Sequence, residues 1–275
     1  MNKKKRKLKW KNVIIILIVT ALIITLIISI FNIVKWKMDS NKTNEEITNI
    51  QEDIDVDEVE DTENAEIIEP VEEPPKENPY WDYINMNMIN VDFNVLNRTN
   101  PDVVGWVKVN GTNINYPFVQ ANDNKYYLTH SFNKSYNAAG WVFLDYRNNN
   151  TNNKNTIIYA HGRTDKTMFG TLRKVLNNGW LNNTDNFVIK ISTEIENTLW
   201  QIFSVYHIPT TSDYLKTDFD DDTEYQNFLD MIKNRSNHNF NTNVTATDNI
   251  LTLSTCYNNN EKMVVHAKLI KKEVK

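Results

Sequence analysis

The sequence has little cysteine and little glycine: one Cys, six Gly and seven Pro among 275 residues. A single cysteine, Cys256, excludes a zinc site built from several cysteines. No glycine-rich loop of the phosphate-binding type is present. No basic patch interleaved with aromatic residues indicates a nucleic-acid partner. The sequence therefore predicts no metal, no other cofactor and no nucleic-acid binding.

Long apolar character is confined to residues 13–34, which are apolar apart from Thr20, Thr25, Ser29 and Asn32. A helix of about 22 residues spans roughly 30 Å of hydrocarbon. The preceding residues 1–12 are rich in Lys and Arg, which favours a cytoplasmic N-terminus. We predict a retained single-pass transmembrane helix with everything after it extracellular. A cleaved signal peptide is the alternative, but no Ala-x-Ala cleavage pattern follows.

Aromatic residues are absent from residues 39–78, which are strongly acidic and end in a proline-containing stretch. Such a segment buries too little apolar surface to offset its ordering entropy, and its like charges repel one another. We predict a disordered acidic stalk over residues 35–79. An acidic interaction tail is the alternative interpretation.

Residues 80–275 are predicted to form one domain, mainly β, because short β-type runs recur between turn signals. Three segments show apolar residues at helical spacing and predict peripheral helices: 80–96, 167–176 and 223–233. The acidic residues before the third helix lack the ligand pattern of a calcium loop and are interpreted as charge at a helix N-terminus. The eight predicted strands cover residues 103–109, 114–119, 140–144, 156–160, 187–191, 199–206, 249–253 and 262–270.

Cys256 follows the predicted strand 249–253, in a part of the chain expected outside the cell. An unpaired thiol in an oxidising compartment is typical of a residue with a chemical role. His161 follows another predicted strand directly, and two strand ends of one barrel can bring a thiol and an imidazole together. A histidine at a strand end is more commonly a surface residue, so the spacing alone leaves both interpretations open.

The run Thr252-Leu253-Ser254-Thr255-Cys256 resembles the Thr-Leu-x-Thr-Cys signature of sortases, the membrane-anchored transpeptidases of Gram-positive cell surfaces. Other blocks, in order along residues 80–271, resemble class B sortases in particular. These blocks are residues 100–106, 111–117, 123–128, 145–147, 155–161 and 167–172. The resemblance implies an eight-stranded β-barrel with an N-terminal helical extension and a helix before the penultimate strand.

The resemblance also implies roles for individual residues. Cys256 matches the nucleophile that cleaves a C-terminal sorting signal after threonine and forms a thioester. His161 matches the histidine that protonates the departing amine and then takes a proton from the incoming one. Ser254 and Thr255 are strand-end residues that we also name as candidate substrate-binding residues.

Lys262 stands where the family has an arginine that holds the substrate carbonyl oxygen. Lysine cannot offer the planar, two-pronged donor set of arginine, so the exchange is not conservative. Three interpretations are open: Lys262 serves as the cation, Arg163 or Arg147 reaches in from a loop, or the enzyme is impaired. His266 lies inside the last strand and is predicted to be a packed or surface histidine rather than a catalytic one.

The partners implied are secreted proteins with a sorting signal and an amine acceptor, either a peptidoglycan precursor or a pilin. A wall-anchoring transpeptidase of the cell membrane is the prediction. The alternatives are a pilin-polymerising sortase, a cysteine hydrolase and a catalytically impaired surface-binding module.

Overall fold

The computed structural model describes residues 9–59, 65–68, 80–149, 153–257 and 260–275. The chain divides into two compact units, residues Met1–Lys42 and Thr43–Lys275. The α-helices in chain order are α1 (Trp10–Asp53), α2 (Tyr80–Tyr83), α3 (Asn94–Thr99), α4 (Asn178–Leu181) and α5 (Asp222–Asn234). Residues Phe169–Leu176, within the predicted helix 167–176, form a 3-10 helix, and Tyr126–Leu128 and Thr184–Asn186 are shorter ones. The strands are β1 (Val56–Val59), β2 (Ala65–Ile67), β3 (Met88–Val91), β4 (Val103–Val109), β5 (Asn115–Val119), β6 (Phe143–Leu144), β7 (Asn155–Tyr159), β8 (Val188–Ser192), β9 (Glu196–Pro209), β10 (Ile250–Cys256) and β11 (Glu261–Val274).

Among the described residues, eight strands form a closed β-barrel in the order β10-β7-β6-β5-β4-β8-β9-β11, and β11 pairs with β10 to close it. The pairs β5–β6 and β7–β10 are parallel, whereas the other neighbours are antiparallel. Each barrel strand corresponds to one of the eight β-type runs of the sequence. The predicted mainly β barrel is confirmed.

The barrel interior is filled by side chains with almost no exposed surface, among them Trp106, Val107, Leu199 and Ile202. A second apolar cluster joins α5 to the outside of the barrel through Tyr225, Phe228, Leu229 and Ile232. The helical spacing of these four residues was the reason to predict a helix at 223–233. Helix α5 begins as expected, since the Asp221 carboxylate accepts a hydrogen bond from the Glu224 backbone N–H at 2.8 Å.

Residues 80–96 do not form the single helix that their spacing predicts. Helices α2 and α3 are short, and strand β3 lies between them. Met88, Ile89 and Val91 are all buried, so both faces of β3 are covered. A strand covered on both faces shows a continuous apolar run rather than alternation, and such a run cannot be told from a helix by periodicity.

Helix α1 is the one helix in the described part of the chain that is long and apolar enough to cross a membrane. Its large apolar side chains from Ile14 to Val34 are exposed, and an apolar surface on all sides of a helix is typical of a membrane span. Residues 1–8 of the predicted cytoplasmic segment lie outside the described residues.

The segment predicted as a disordered stalk differs from that expectation where it is described. Helix α1 continues to Asp53, β1 pairs with β3, and β2 pairs with the end of β11. Ile54 is buried in the core, and Val56 and Val59 pack against it. A few apolar anchors and the backbone hydrogen bonds of strand pairing therefore order an acidic segment that composition alone describes as disordered. Residues 60–64 and 69–79 of the predicted stalk lie outside the described residues.

Candidate active site

Strands β7 and β10 bring His161 and Cys256 to the same end of the barrel. The two strands are parallel neighbours with Ser254 opposite Tyr159, so the residues after both strands emerge at one edge. The Thr255 hydroxyl donates to the Ala160 carbonyl at 2.7 Å, which ties together the residues directly before Cys256 and His161. Gly162 allows the two chains to approach, because a Cβ at this position would lie 2.2 Å from the Cys256 carbonyl oxygen.

A cavity of about 460 Å³ opens at this end of the barrel. All five residues singled out from the sequence, Cys256, His161, Lys262, Ser254 and Thr255, line it. Its wall also includes Asn124, Leu128, Phe143, Tyr159, Ala160, Thr210, Thr211, Tyr214 and Leu215. The lining combines apolar surface with a few polar groups, which is the usual character of a site that binds an extended organic ligand.

Lys262 is the cation beside the thiol. Cys256 and Lys262 are direct cross-strand partners in the β10–β11 pair. The Lys262 ammonium donates to Cys256 Sγ at 3.3 Å. Because both side chains are only half-buried, the pair is open to the cavity. A positive charge at this distance is placed to stabilise an oxyanion that forms next to the sulfur.

The two alternative arginines are held elsewhere. Arg163 donates to both oxygens of Asp165 and to the Thr167 hydroxyl. Arg147 donates to both oxygens of Asp145. Neither arginine lines the cavity, so the geometry favours Lys262 over Arg163 and Arg147 as the cation next to Cys256.

The His161 ring is oriented by a backbone carbonyl. Its Nε2 lies 2.8 Å from the Leu128 oxygen, which can only accept a hydrogen bond. Nε2 therefore carries a proton in this arrangement, and Nδ1 is the ring nitrogen free of that contact. A hydrogen bond on one nitrogen that leaves the other available is the usual way to orient a histidine for proton transfer.

The hydroxyls of Ser254 and Thr255 are used inside the protein. Both residues are almost completely buried. Ser254 Oγ lies 2.9 Å from the Tyr214 hydroxyl, and the Thr255 hydroxyl is bound to Ala160. Their contribution to the cavity in this structure is therefore to shape its wall and to hold the neighbouring elements.

Several cavity residues were not singled out from the sequence, notably Asn124, Tyr159 and Tyr214. Tyr214 lies on the loop between β9 and α5, and burial raises the pKa of its hydroxyl, which therefore stays protonated. No local pattern distinguishes this tyrosine from the eleven others in the chain. Asn124 and Tyr159 fall within blocks that carry the family resemblance, which is the sequence feature that could have identified them as site residues.

His266 has no exposed surface, so of the two alternatives, packed or surface, the structure shows the packed one. Its ring nitrogens contact the Tyr206 and Thr252 hydroxyls at 2.8 and 2.9 Å. Burial, together with the smaller effect of the positive charge of Arg235, lowers the pKa of His266 to about 3. No group of three or more His, Cys, Asp or Glu residues suited to a metal ion occurs within the described ranges.

Comparison with known proteins agrees with this site. Residues 107–270 match the family model of the sortase domain. Sortase B of Staphylococcus aureus (strain NCTC 8325 / PS 47) is 39% identical over 184 residues, which cover 65% of this chain and 75% of the relative.

Solved structures show the same likeness. The crystal structure of sortase B from B. anthracis superposes with a TM-score of 0.67 at 34% identity, covering 85% of this chain and 99% of that one. A sortase B complexed with a glycine tripeptide gives a TM-score of 0.61 at 38% identity, covering 65% and 85%. The chain therefore belongs to the sortase family of cysteine transpeptidases and is similar to sortase B.

Proposed function

We propose that this chain is a membrane-anchored transpeptidase that cleaves a C-terminal sorting signal after threonine and transfers the new carboxyl end to an amine of a peptidoglycan precursor. The observation that carries the proposal is the contact between Cys256 Sγ and Lys262 Nζ at 3.3 Å, in a cavity that His161 also lines. Nucleophile, cation and proton carrier thus share one solvent-accessible space. This is the minimum set for acyl transfer through a thioester.

In the first half-reaction, the Cys256 thiolate attacks the carbonyl carbon of the threonine residue in the sorting signal. The carbonyl oxygen becomes an oxyanion, which the Lys262 ammonium stabilises. As the C–N bond breaks, protonated His161 gives its proton to the departing amine. The products are a thioester on Cys256 and the released C-terminal fragment.

In the second half-reaction, an amine attacks the thioester. His161 accepts the proton that the amine loses, the C–N bond forms, and the C–S bond breaks to return the Cys256 thiolate. One amide is exchanged for another, so no external energy source is needed. The thioester keeps the acyl group activated until an amine arrives.

Anchoring supports the same function. The sequence before helix α1 is basic, which supports a cytoplasmic N-terminus and, with it, a catalytic domain outside the cell. An enzyme tethered at the membrane surface meets secreted substrates at a raised effective concentration.

The test uses the full-length protein in detergent. It is incubated with a pool of internally quenched pentapeptides that have a fixed threonine and four varied positions, with and without triglycine. Triglycine is chosen because a similar sortase B has been solved with a glycine tripeptide. We expect cleavage after threonine and, with triglycine, a product whose mass includes the three glycines.

Matched variants assign the roles. Cys256→Ala and His161→Ala should abolish the product, whereas His238→Ala should not, because His238 does not line the cavity. Cleavage products that never carry triglycine would identify a hydrolase instead. Absence of any acyl-enzyme on Cys256 with every peptide would contradict the proposal.

A further inference from the structure

The carboxylate of Asp145 is fully buried behind the cavity wall and accepts hydrogen bonds from several polar side chains. Its Oδ1 accepts from Arg147 Nε at 2.9 Å, and its Oδ2 accepts from Arg147 Nη2 at 2.7 Å. Oδ2 also accepts from the Asn124 amide at 2.9 Å and from the Tyr159 hydroxyl at 2.8 Å. Both Asn124 and Tyr159 line the cavity. Asp145 therefore sets the position of two polar side chains of the site without touching the cavity itself.

A charged Asp145 and a neutral Tyr159 both favour the hydrogen bonds of this cluster. Burial alone would raise the pKa of Asp145, but the hydrogen bonds from Arg147 and Tyr159 outweigh it and lower the pKa. Burial and the neighbouring Asp145 charge raise the pKa of Tyr159, so its hydroxyl stays protonated and keeps donating. A two-pronged arginine–carboxylate pair has well-defined geometry, unlike a single-point ion pair.

Arg147 also connects this cluster to a loop. Its Nη2 donates to the Leu215 carbonyl at 2.9 Å, on the loop between β9 and α5. Four residues of that loop, Thr210, Thr211, Tyr214 and Leu215, line the cavity. One guanidinium thus joins the β6–β7 side of the cavity to its loop wall.

We propose that Arg147, acting through Asp145 and the Leu215 carbonyl, is a positioning residue that holds the cavity wall in the shape that receives the acyl-donor peptide. The inference rests on the proposed function, which supplies that peptide. Arginine suits the position because its planar fork serves the carboxylate and the carbonyl together. A lysine retains the charge but is a compact point donor.

The test compares Arg147→Lys with the parent, using full-length protein in detergent and the best-cleaved peptide of the threonine-containing pool, with triglycine as acceptor. Loss of hydrogen bonds to a charged group predicts a KM for the donor peptide raised roughly tenfold. The kcat should stay within about twofold, and the rate of Cys256 alkylation by iodoacetamide should not change. A purely structural role would instead lower the active fraction, which reduces kcat and leaves KM unaltered.

Arg235→Lys is the matched control. Arg235 makes a two-pronged pair with Asp213 at 3.0 and 2.6 Å, and Asp213 lies on the same loop. Neither residue lines the cavity. We expect the parental KM in this variant. A parental KM in Arg147→Lys, or an equal rise in Arg235→Lys, overturns the proposal.

A second measurement does not depend on turnover. The Leu215 backbone N–H donates to the Ser212 carbonyl at 3.0 Å, so its hydrogen exchange reports the order of the loop. Arg147→Lys should accelerate exchange in residues 210–216, and unchanged exchange overturns the proposal. If the parent cleaves no peptide of the pool, the proposed function fails, while the exchange data still decide whether Arg147 positions the loop.

Discussion

Strands β10 and β11 carry two cross-strand pairs of similar chemistry in different surroundings. At the cavity, Cys256 lies opposite Lys262, with 3.3 Å between sulfur and nitrogen. Four residues along the same strands, Thr252 lies opposite His266, with 2.9 Å between oxygen and nitrogen. Each pair joins a thiol or hydroxyl to a basic side chain. The first pair is half-buried and faces the cavity, whereas the second has no exposed surface.

The buried pair shows what burial does to reactive groups. The Thr252 hydroxyl donates to Asn155, so it accepts from His266 Nδ1, and Nε2 then accepts from the Tyr206 hydroxyl. With both nitrogens bonded and the pKa lowered to about 3, His266 is a neutral structural link. Solvent access, rather than residue type, separates the pair suited to chemistry from the pair that supports the fold.

The largest expected effect is on activity, and it distinguishes the Cys256–Lys262 pair from the Thr252–His266 pair. Cys256→Ala should reduce transpeptidation by a factor on the order of 10⁴ or more and leave thermal unfolding nearly unchanged. Thr252→Ala should lower the stability by about 1–3 kcal/mol, because its buried hydrogen-bond partners are left unsatisfied, and should leave transpeptidation nearly unchanged. Peptide cleavage and tryptophan-monitored unfolding of the full-length protein measure both. A similar loss of activity in both variants would remove the distinction.

Lys262 gives the next largest effect. Removal of one oxyanion donor lowers kcat by a factor of about 10²–10³, so Lys262→Ala should show a loss of that size. Lys262→Arg should retain activity, since the charge stays beside Cys256. Steady-state kinetics with the donor peptide provides the measurement. Parental rates in Lys262→Ala would show that this lysine does not act on the oxyanion.

The buried pair predicts a pH-dependent stability. His266 has a folded pKa of about 3 and an ordinary value of 6.5, so between these values the unfolded chain binds one more proton than the folded chain. Stability is therefore lost as pH falls from 6.5 towards 3, with a slope of up to about 1.4 kcal/mol per pH unit from this group. Unfolding of the parent and of His266→Leu across this range should give a shallower dependence in the variant. Equal slopes would argue against this assignment.

The smallest expected effect concerns the hydrogen bond between Tyr214 and Ser254, two residues before Cys256. Tyr214→Phe removes the contact with Ser254 and should cost about 1 kcal/mol of stability. A double-mutant cycle with Ser254→Ala measures the coupling directly. Strict additivity of the two substitutions would show that the contact between the two hydroxyls contributes nothing.

The barrel was predictable because its information is local. Each β-type run, such as residues 103–109 and 262–270, is bounded by turn signals, and the structure forms a strand at each. The signature ending in Cys256 and the strand preceding His161 are also local features. Prediction failed at residues 80–96 and within 35–59, where β1, β3 and Ile54 depend on partners distant in the sequence.

The cavity wall was beyond sequence reasoning for the same reason. Tyr159, Asn124 and Arg147 meet at Asp145, and Arg147 also reaches Leu215, 68 residues later. Asp145 and Arg147 are only two residues apart, but the other contacts do not follow from spacing along the chain, because loop conformations and side-chain networks depend on how the strands pair.

By itself, the sequence determined the β-strand pattern, the apolar helix, the family signature and the identity of the candidate thiol, imidazole and ammonium. Tertiary structure decided which basic residue stands beside Cys256, which histidine is buried and which carboxylate holds the cavity wall. The physical reason is that periodicity and motifs act within a few residues, whereas burial, pKa and hydrogen-bond geometry arise only when distant strands and loops come together.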